Sequence, residues 1–233
     1  MNQTLRVGNL SGKGGNAMQV FHSTNGKVQG GQLEAAVASA VEAAKLLGPH
    51  GGDIRFYLTL AGGEDVNGTL FSQEYESPEA LGAAFDALTD NAELQALMAR
   101  LNGPGSPTVI TSQSMGLEVP LGRTPKAGRG SILEVHTSHL NPGRFEDAIA
   151  ESAEVCAFVE ENGAVNARCI QLTYAGMASG MLALVWEHEN MAAQARTAAA
   201  WSTDAGVALQ MRSMGASPAT TRVTSALYNE VPL

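Results

Sequence analysis

The stretch GLEVPL, Gly116 to Leu121, returns as YNEVPL, Tyr228 to Leu233, with four of six letters kept at a spacing of 112 residues. A match this short is weak alone, so the test is whether other features recur at the same distance. QLEAAVASAVEAAKLLG, residues 32–48, places Leu33, Val37, Val41, Ala44 and Leu47 on one face of a helix. NPGRFEDAIAESAEVCAFVEENG, residues 141–163, does the same with Phe145, Ile149, Ala153, Cys156 and Val159, again 112 residues on. Strand-like runs precede both, AMQVFHS and ILEVHTS, each with a histidine, His22 and His136. After the helices come DIRFYLTLAGG and ARCIQLTYAGM, sharing Leu-Thr-x-Ala-Gly, and then runs sharing Glu-x-Glu, Glu74/Glu76 and Glu187/Glu189. Ordered matches of this kind read as one unit written twice: a leader over 1–16, a repeat over 17–121, a linker over 122–130 and a second repeat over 131–233.

Composition agrees. The 233 residues are 44% hydrophobic, enough for cores in two units of about 100 residues. Residues 1–121 hold 6 Lys/Arg and 12 Asp/Glu, and residues 131–233 hold 5 and 11, so each half carries −6. The linker GRTPKAGRG carries Arg123, Lys126 and Arg129 and no acid, and reads as exposed and basic. Acidic halves argue against nucleic acid and anionic membranes, which need clustered Lys/Arg. No apolar run approaches the ~20 residues of a membrane span, and the N-terminal MNQTLRVGNLSGKGGNA lacks the apolar core of a secretory signal. A cytoplasmic location is therefore expected. Its GKGG lacks the strand and helix of a phosphate loop. Cys156 and Cys169 show no metal or redox spacing and are expected as free thiols.

Each half runs strand, helix, strand, turn, strand, helix, strand. In the first, Gly48-Pro49 ends the first helix, GGEDVNG is a hairpin turn, Ser77 caps the second helix with Pro78 behind it, and Asp90 with Glu93 re-caps a further helical piece. In the second, Asn141-Pro142 opens the first helix and Asn190 caps the second. This order predicts an α+β fold, two tandem ferredoxin-like β-α-β-β-α-β units. The bare apolar face of each sheet must be covered. The simplest cover is the other unit, which closes the antiparallel sheets into one α+β barrel with helices outside.

With its strand-one histidines, the joints QEYESPEALGAAFDAL and VWEHENMAAQARTAAAW and the closing VITSQSMGLEVPL and RVTSALYNEVPL, the chain resembles the dimeric α+β barrel superfamily. That group includes stress-responsive barrels, antibiotic-biosynthesis monooxygenases, EthD-like proteins and the NIPSNAP group. The resemblance spans 17–121 and 131–233 and implies that a polar residue on the first strand faces a ligand cavity. The oxygenase and haem-degrading branches carry a histidine on the second helix. The corresponding positions here lie near Phe85 and Ala198, and neither helix has one. No cofactor is therefore expected, haem included.

His136, His22 and His188 are the candidate acid/base groups, since imidazole is the side chain most readily tuned near neutral pH. Glu134 shares a strand face with His136, two residues away, and can orient the ring. The glutamates of the Glu-x-Glu pairs are expected in solvent, turning Tyr75 and His188 inward. Tyr174, Trp186, Tyr75 and Met181 complete the expected pocket wall, within a second half rich in Met (177, 181, 191, 211, 214) and Trp. His136 is expected to matter more than His22. The histidines show no tight ligand spacing, so no metal is expected. The implied partner is an apolar carbonyl compound undergoing enolisation or ring closure; the alternatives are a non-catalytic, stress-associated binding barrel and a monooxygenase-like member. Homo-oligomer formation is left open.

Overall fold

The structure, a computed structural model, describes residues 18–62, 67–213, 215 and 217–233. The expected leader, the centre of the GGEDVNG turn and Met214 lie outside the described residues. In the first half β1 is Val20–Val28, α1 Leu33–Leu47, β2 Asp53–Gly62, β3 Gly68–Tyr75, α2 Pro78–Thr89, α3 Ala92–Leu101 and β4 Thr108–Glu118. In the second, β5 is Ile132–Leu140, α4 Phe145–Glu161, β6 Ala164–Tyr174, β7 Leu182–His188, α5 Met191–Ala200, α6 Asp204–Ser213 and β8 Thr220–Val231.

The strands close into an antiparallel barrel in the order β1-β3-β2-β8-β5-β7-β6-β4. Read by halves, this is β4-β1-β3-β2 and β8-β5-β7-β6, the ferredoxin-like order twice. The two repeated stretches are the stitches between halves. Leu117 and Glu118 of β4 pair with Gln171 and Ile170 of β6, and Tyr228 to Val231 of β8 pair with β2 from Thr59 to Phe56. Each half alone would expose two bare strand edges, and closure removes them.

Alternation along the strands builds two layers. Phe21, Tyr57, Leu70, Leu133, Ile170 and Val185 point into the barrel and form its core. The opposite faces meet the helices: Val20 and Tyr75 pack with Leu81 and Ala84 of α2, and Ala167 and Trp186 with Cys156 and Val159 of α4. The buried stripes of α1 and α4 keep the expected Leu47, Cys156 and Val159 but sit one residue from those expected in the earlier turns. They are Ala36, Ala40 and Leu47 and Ala148, Ser152, Cys156 and Val159, while Leu33 and Phe145 are exposed. Small side chains let each helix lie close to the sheet, so the larger ones splay to its flanks. Both stripes keep the 112-residue spacing.

Ser77 and Asn190 cap their helices, accepting from Ala80 N and Ala193 N. The cap of α3 is Asn91, accepting from Leu94 N, and not Asp90. Helix α4 begins at Phe145, with Asn141 spent on Pro218 O.

The basic linker is anchored rather than loose. Arg123 pairs with the buried Glu160, and Arg129 bridges Asp53 and Glu230 at 2.8 and 3.2 Å. Gly128 N donates to Val165 O and Gly130 N to Glu187 Oε2. Cys156 and Cys169 are both free thiols, pushed upward in pKa by burial, Cys169 to about 12. Among the described residues, no helix is long and apolar enough to cross a membrane.

Candidate functional site

On β1, Phe21 and Ser23 face the barrel, so Val20, His22 and Thr24 face the helices. His22 lies opposite Gln73 of β3. Tyr75 Oη donates to Gln73 Oε1 at 3.2 Å, which turns the amide NH2 to His22 Nδ1 at 2.8 Å. A ring that accepts at Nδ1 carries its proton on Nε2. Burial lowers the His22 pKa, so the ring is neutral at neutral pH. The edge of Phe85 from α2 meets it at 5.5 Å and 87°. Nε2 has no partner among the described residues.

Above this ring lies a cavity of about 370 Å³ between the sheet and α1, α2 and α3. The alanine stripe of α1 leaves the space, and Phe85, Leu97, Met98 and Leu101 wall it. His22 is the one ionisable side chain on its lining. Thr24, Thr69, Thr108 and Gln113 add polar atoms to a largely apolar wall, which suits a neutral, mostly apolar molecule bearing an acceptor oxygen.

The equivalent space in the second half is filled. His136 gives both ring nitrogens to neighbours, Nδ1 to Ser225 Oγ at 2.8 Å and Nε2 to Glu134 Oε1 at 2.9 Å. Trp186 lies 4.3 Å from its ring and stacks on Trp201. His188 is fully buried, 3.5 Å from Glu134 Oε2. That distance is an ion-pair contact rather than a hydrogen bond, and both ring nitrogens of His188 lack a hydrogen-bond partner. Burial alone would raise the pKa of Glu134, but hydrogen bonding to His136, with His188 and Gln194 nearby, overrides it and holds the carboxyl down at about 2.

The structure thus brings His136, His188, Glu134 and Trp186 together, and separately joins Tyr75 to His22 through Gln73. Tyr174 belongs to neither group; it is 74% exposed, on an outer groove. Met181 lines the barrel interior. The Glu-x-Glu pairs correct the sequence reading in part, since Glu76 and Glu189 are exposed as expected. Glu74 and Glu187 point into the barrel, not into solvent, and bind Arg168 at 2.9 and 3.2 Å. Tyr75 and His188 accordingly face the helices. The two glutamates hold equivalent places: Glu74 opposes Phe21, and Glu187 opposes Leu133, 112 residues on from Phe21. Gln73 and Phe85 were missed. Gln73 was legible by alternation, two residues before Tyr75; Phe85 was not, because its role depends on how α2 lies over the sheet.

No protein-family model matches the chain, and no curated protein sequence does. Solved structures do. A candidate monooxygenase from Fusobacterium nucleatum superposes with a TM-score of 0.61 at 8% identity, over 93% of this chain and 94% of that one. An anthrone oxidase-like protein matches at 0.56 and 14%, over 93% and 92%. A chlorite dismutase variant from Candidatus Nitrospira defluvii matches at 0.52 and 10%, over 92% of each. At these identities the likeness shows the fold, the ferredoxin-like α+β barrel.

That fold corrects one expectation. Chlorite dismutase binds haem, so the absence of a helix histidine is no ground for ruling out a cofactor in this chain. The residues present meet haem in part. His22 Nε2 is unengaged and faces an apolar cavity, but a ring proton held there by Gln73 must leave before the nitrogen can ligate iron. No Lys or Arg lines the cavity to meet carboxylates. The arrangement, as it stands, does not fit haem. Among the described residues, no group of three or more His, Cys, Asp or Glu is placed to hold a metal.

Proposed function

We propose that the chain is a small-molecule-binding α+β barrel whose working site is the cavity of the first half. Its ligand is a flat apolar compound carrying a carbonyl oxygen. The observation that carries this is the unengaged Nε2–H of His22, whose ring is held by the Tyr75–Gln73 relay on the lining of a largely apolar cavity. Of the acid/base chemistry expected from the sequence, this geometry supplies the acid half. A neutral imidazole donates to the carbonyl oxygen and stabilises the oxyanion that enolisation or ring closure would form. The name of the anthrone oxidase-like neighbour, with its tricyclic aromatic ketone, supports the ligand class. His136, with both nitrogens spent, is read as structural, reversing the ranking drawn from the sequence.

Calorimetric titration with anthrone tests this. Wild type is expected to bind. His22→Leu should weaken binding about tenfold, the loss of one hydrogen bond. Ala40→Phe, which fills the cavity, should abolish it, and His136→Gln should leave it intact. Loss of binding in His136→Gln with full binding in His22→Leu would place the site in the second half and overturn the reading.

A further inference from the structure

The inside of the barrel holds a second cavity of about 360 Å³, separated from the first by the sheet itself. Every strand but β2 sends an alternating inward series to it. At one end, ion pairs close the barrel. Arg168 binds Glu74 at 2.9 and 3.1 Å and lies 4.7 Å over the Phe21 ring, and Arg55 binds Glu187 at 2.6 Å. The middle is apolar, with Tyr57, Leu70, Leu133, Ile170 and Val185. In the second half Thr137 and Thr224 follow the apolar positions, whereas in the first half Ser23, Ser72 and Ser114 stand in one row beside the ion pairs, with Ser72 between Glu74 and Leu70. Small side chains keep the space open. At Gly116 a Cβ would come within 2.5 Å of Ile170 Cγ2, and Ala183 faces it from β7.

The hydroxyls are the telling feature. Ser23 and Ser114 bond each other at 2.8 Å, but Ser72, Thr137 and Thr224 have no side-chain partner among the described residues. Ser72 and Thr137 are half-buried and Thr224 is exposed, so these hydroxyls are open to solvent and able to bond an entering oxygen. The open end adjoins the turn Gly176–Ala178 between β6 and β7. Ala175 and Ala178 of that turn line the cavity, and Met177 between them is 98% exposed, an adaptable apolar lip.

We propose that the barrel interior is a second binding site, distinct from the His22 cavity, for a slender uncharged molecule with an apolar body and hydroxyl or carbonyl oxygens. An anion would find no Lys or Arg on the lining. A cation would find one carboxylate, Glu74, already held by Arg168. An uncharged chain or ring lays its apolar part against Leu133 and Val185 and turns its oxygens to the Ser and Thr hydroxyls.

The test uses the neutral fluorophore N-phenyl-1-naphthylamine, with decan-1-ol as competitor. Ala183→Leu and Ser72→Leu fill the interior from opposite walls. Each should remove one class of decanol-displaceable sites, with affinity falling at least tenfold, while the melting temperature holds or rises. Ala40→Phe fills the other cavity and should leave that class untouched, so failure of the His22 reading is seen separately. Full binding in a folded Ala183→Leu or Ser72→Leu chain overturns the proposal. On the unaltered chain, decanol should give nuclear Overhauser contacts to the methyl groups of Val135, Leu172 and Val185; their absence at saturating decanol also overturns it.

Discussion

Glu134 shows how one side chain is set by what surrounds it. It stands on β5 between His136 and His188, with Gln194 of α5 beyond. Its carboxyl is held down from 4.5 to about 2. A folded-state value below the unfolded one means stability that is whole above about pH 4.5 and lost as the pH falls toward 2. The difference corresponds to about 3 kcal/mol at neutral pH. Glu134→Gln keeps the shape and an acceptor but removes the charge. Its urea midpoint should lie below that of wild type at pH 7, and the gap should close steadily between pH 4.5 and 3. A gap that stays constant over that range would show that the carboxylate's charge contributes nothing. His22 carries no such load, since its neighbours are Gln73, Phe85 and a cavity, which is why it remains available to a ligand.

At the scale of elements, helix ends and helix faces behave differently. Caps are local chemistry, and Ser77 and Asn190 were readable as such. The α2–α3 break was also readable, but its cap fell one residue late, on Asn91. Both residues have the side chain for the job, and the backbone decides: Asn91 is extended, while Asp90 still closes α2. Asn91→Ala should therefore cost about 1 kcal/mol in urea unfolding, and Asp90→Ala only a few tenths; the reverse order would restore the earlier assignment. Helix faces are harder to read. Periodicity marks a stripe, yet the alanine-lined side of α1 won over the leucine-and-valine side. Close approach of a helix to a sheet rewards small residues, and no local pattern reports how close a helix will lie.

The whole molecule is joined by strands and charges that cross between halves. Arg55 belongs to the first half and pairs with Glu187 of the second. Arg168 belongs to the second and pairs with Glu74 of the first. Arg55, Arg168 and Glu187 are buried, and removing one partner of such a set typically costs 3–5 kcal/mol. Both tryptophans, Trp186 and Trp201, lie in the second half, so their fluorescence reports that half, whereas far-ultraviolet circular dichroism reports both. The two signals should follow one coincident urea transition. Arg168→Leu should lower both midpoints together by several kcal/mol of stability. Separate transitions would mean that the halves fold independently despite the shared barrel.

The repeat, the strand and helix order and the barrel were legible because they rest on patterns within the chain: a 112-residue spacing, alternation along strands, and an apolar sheet face that had to be covered. The same reasoning singled out His22, His136 and Glu134. What sequence could not decide was which of the two strand-one histidines keeps a free nitrogen, nor that register sets Glu134, and not His136, in the place of His22. That turns on Gln73 opposite one ring and on Glu134 and Ser225 around the other, partners brought together by register across the sheet. Nor could it place the glutamates of the two Glu-x-Glu pairs. Charges near strand ends read as solvated, and Glu76 and Glu189 are, but closure of the barrel put Glu74 and Glu187 beside Arg55 and Arg168 and made their burial tolerable. Periodicity determines which face of an element is apolar; only the closed barrel determines what that face, and every charge upon it, will meet.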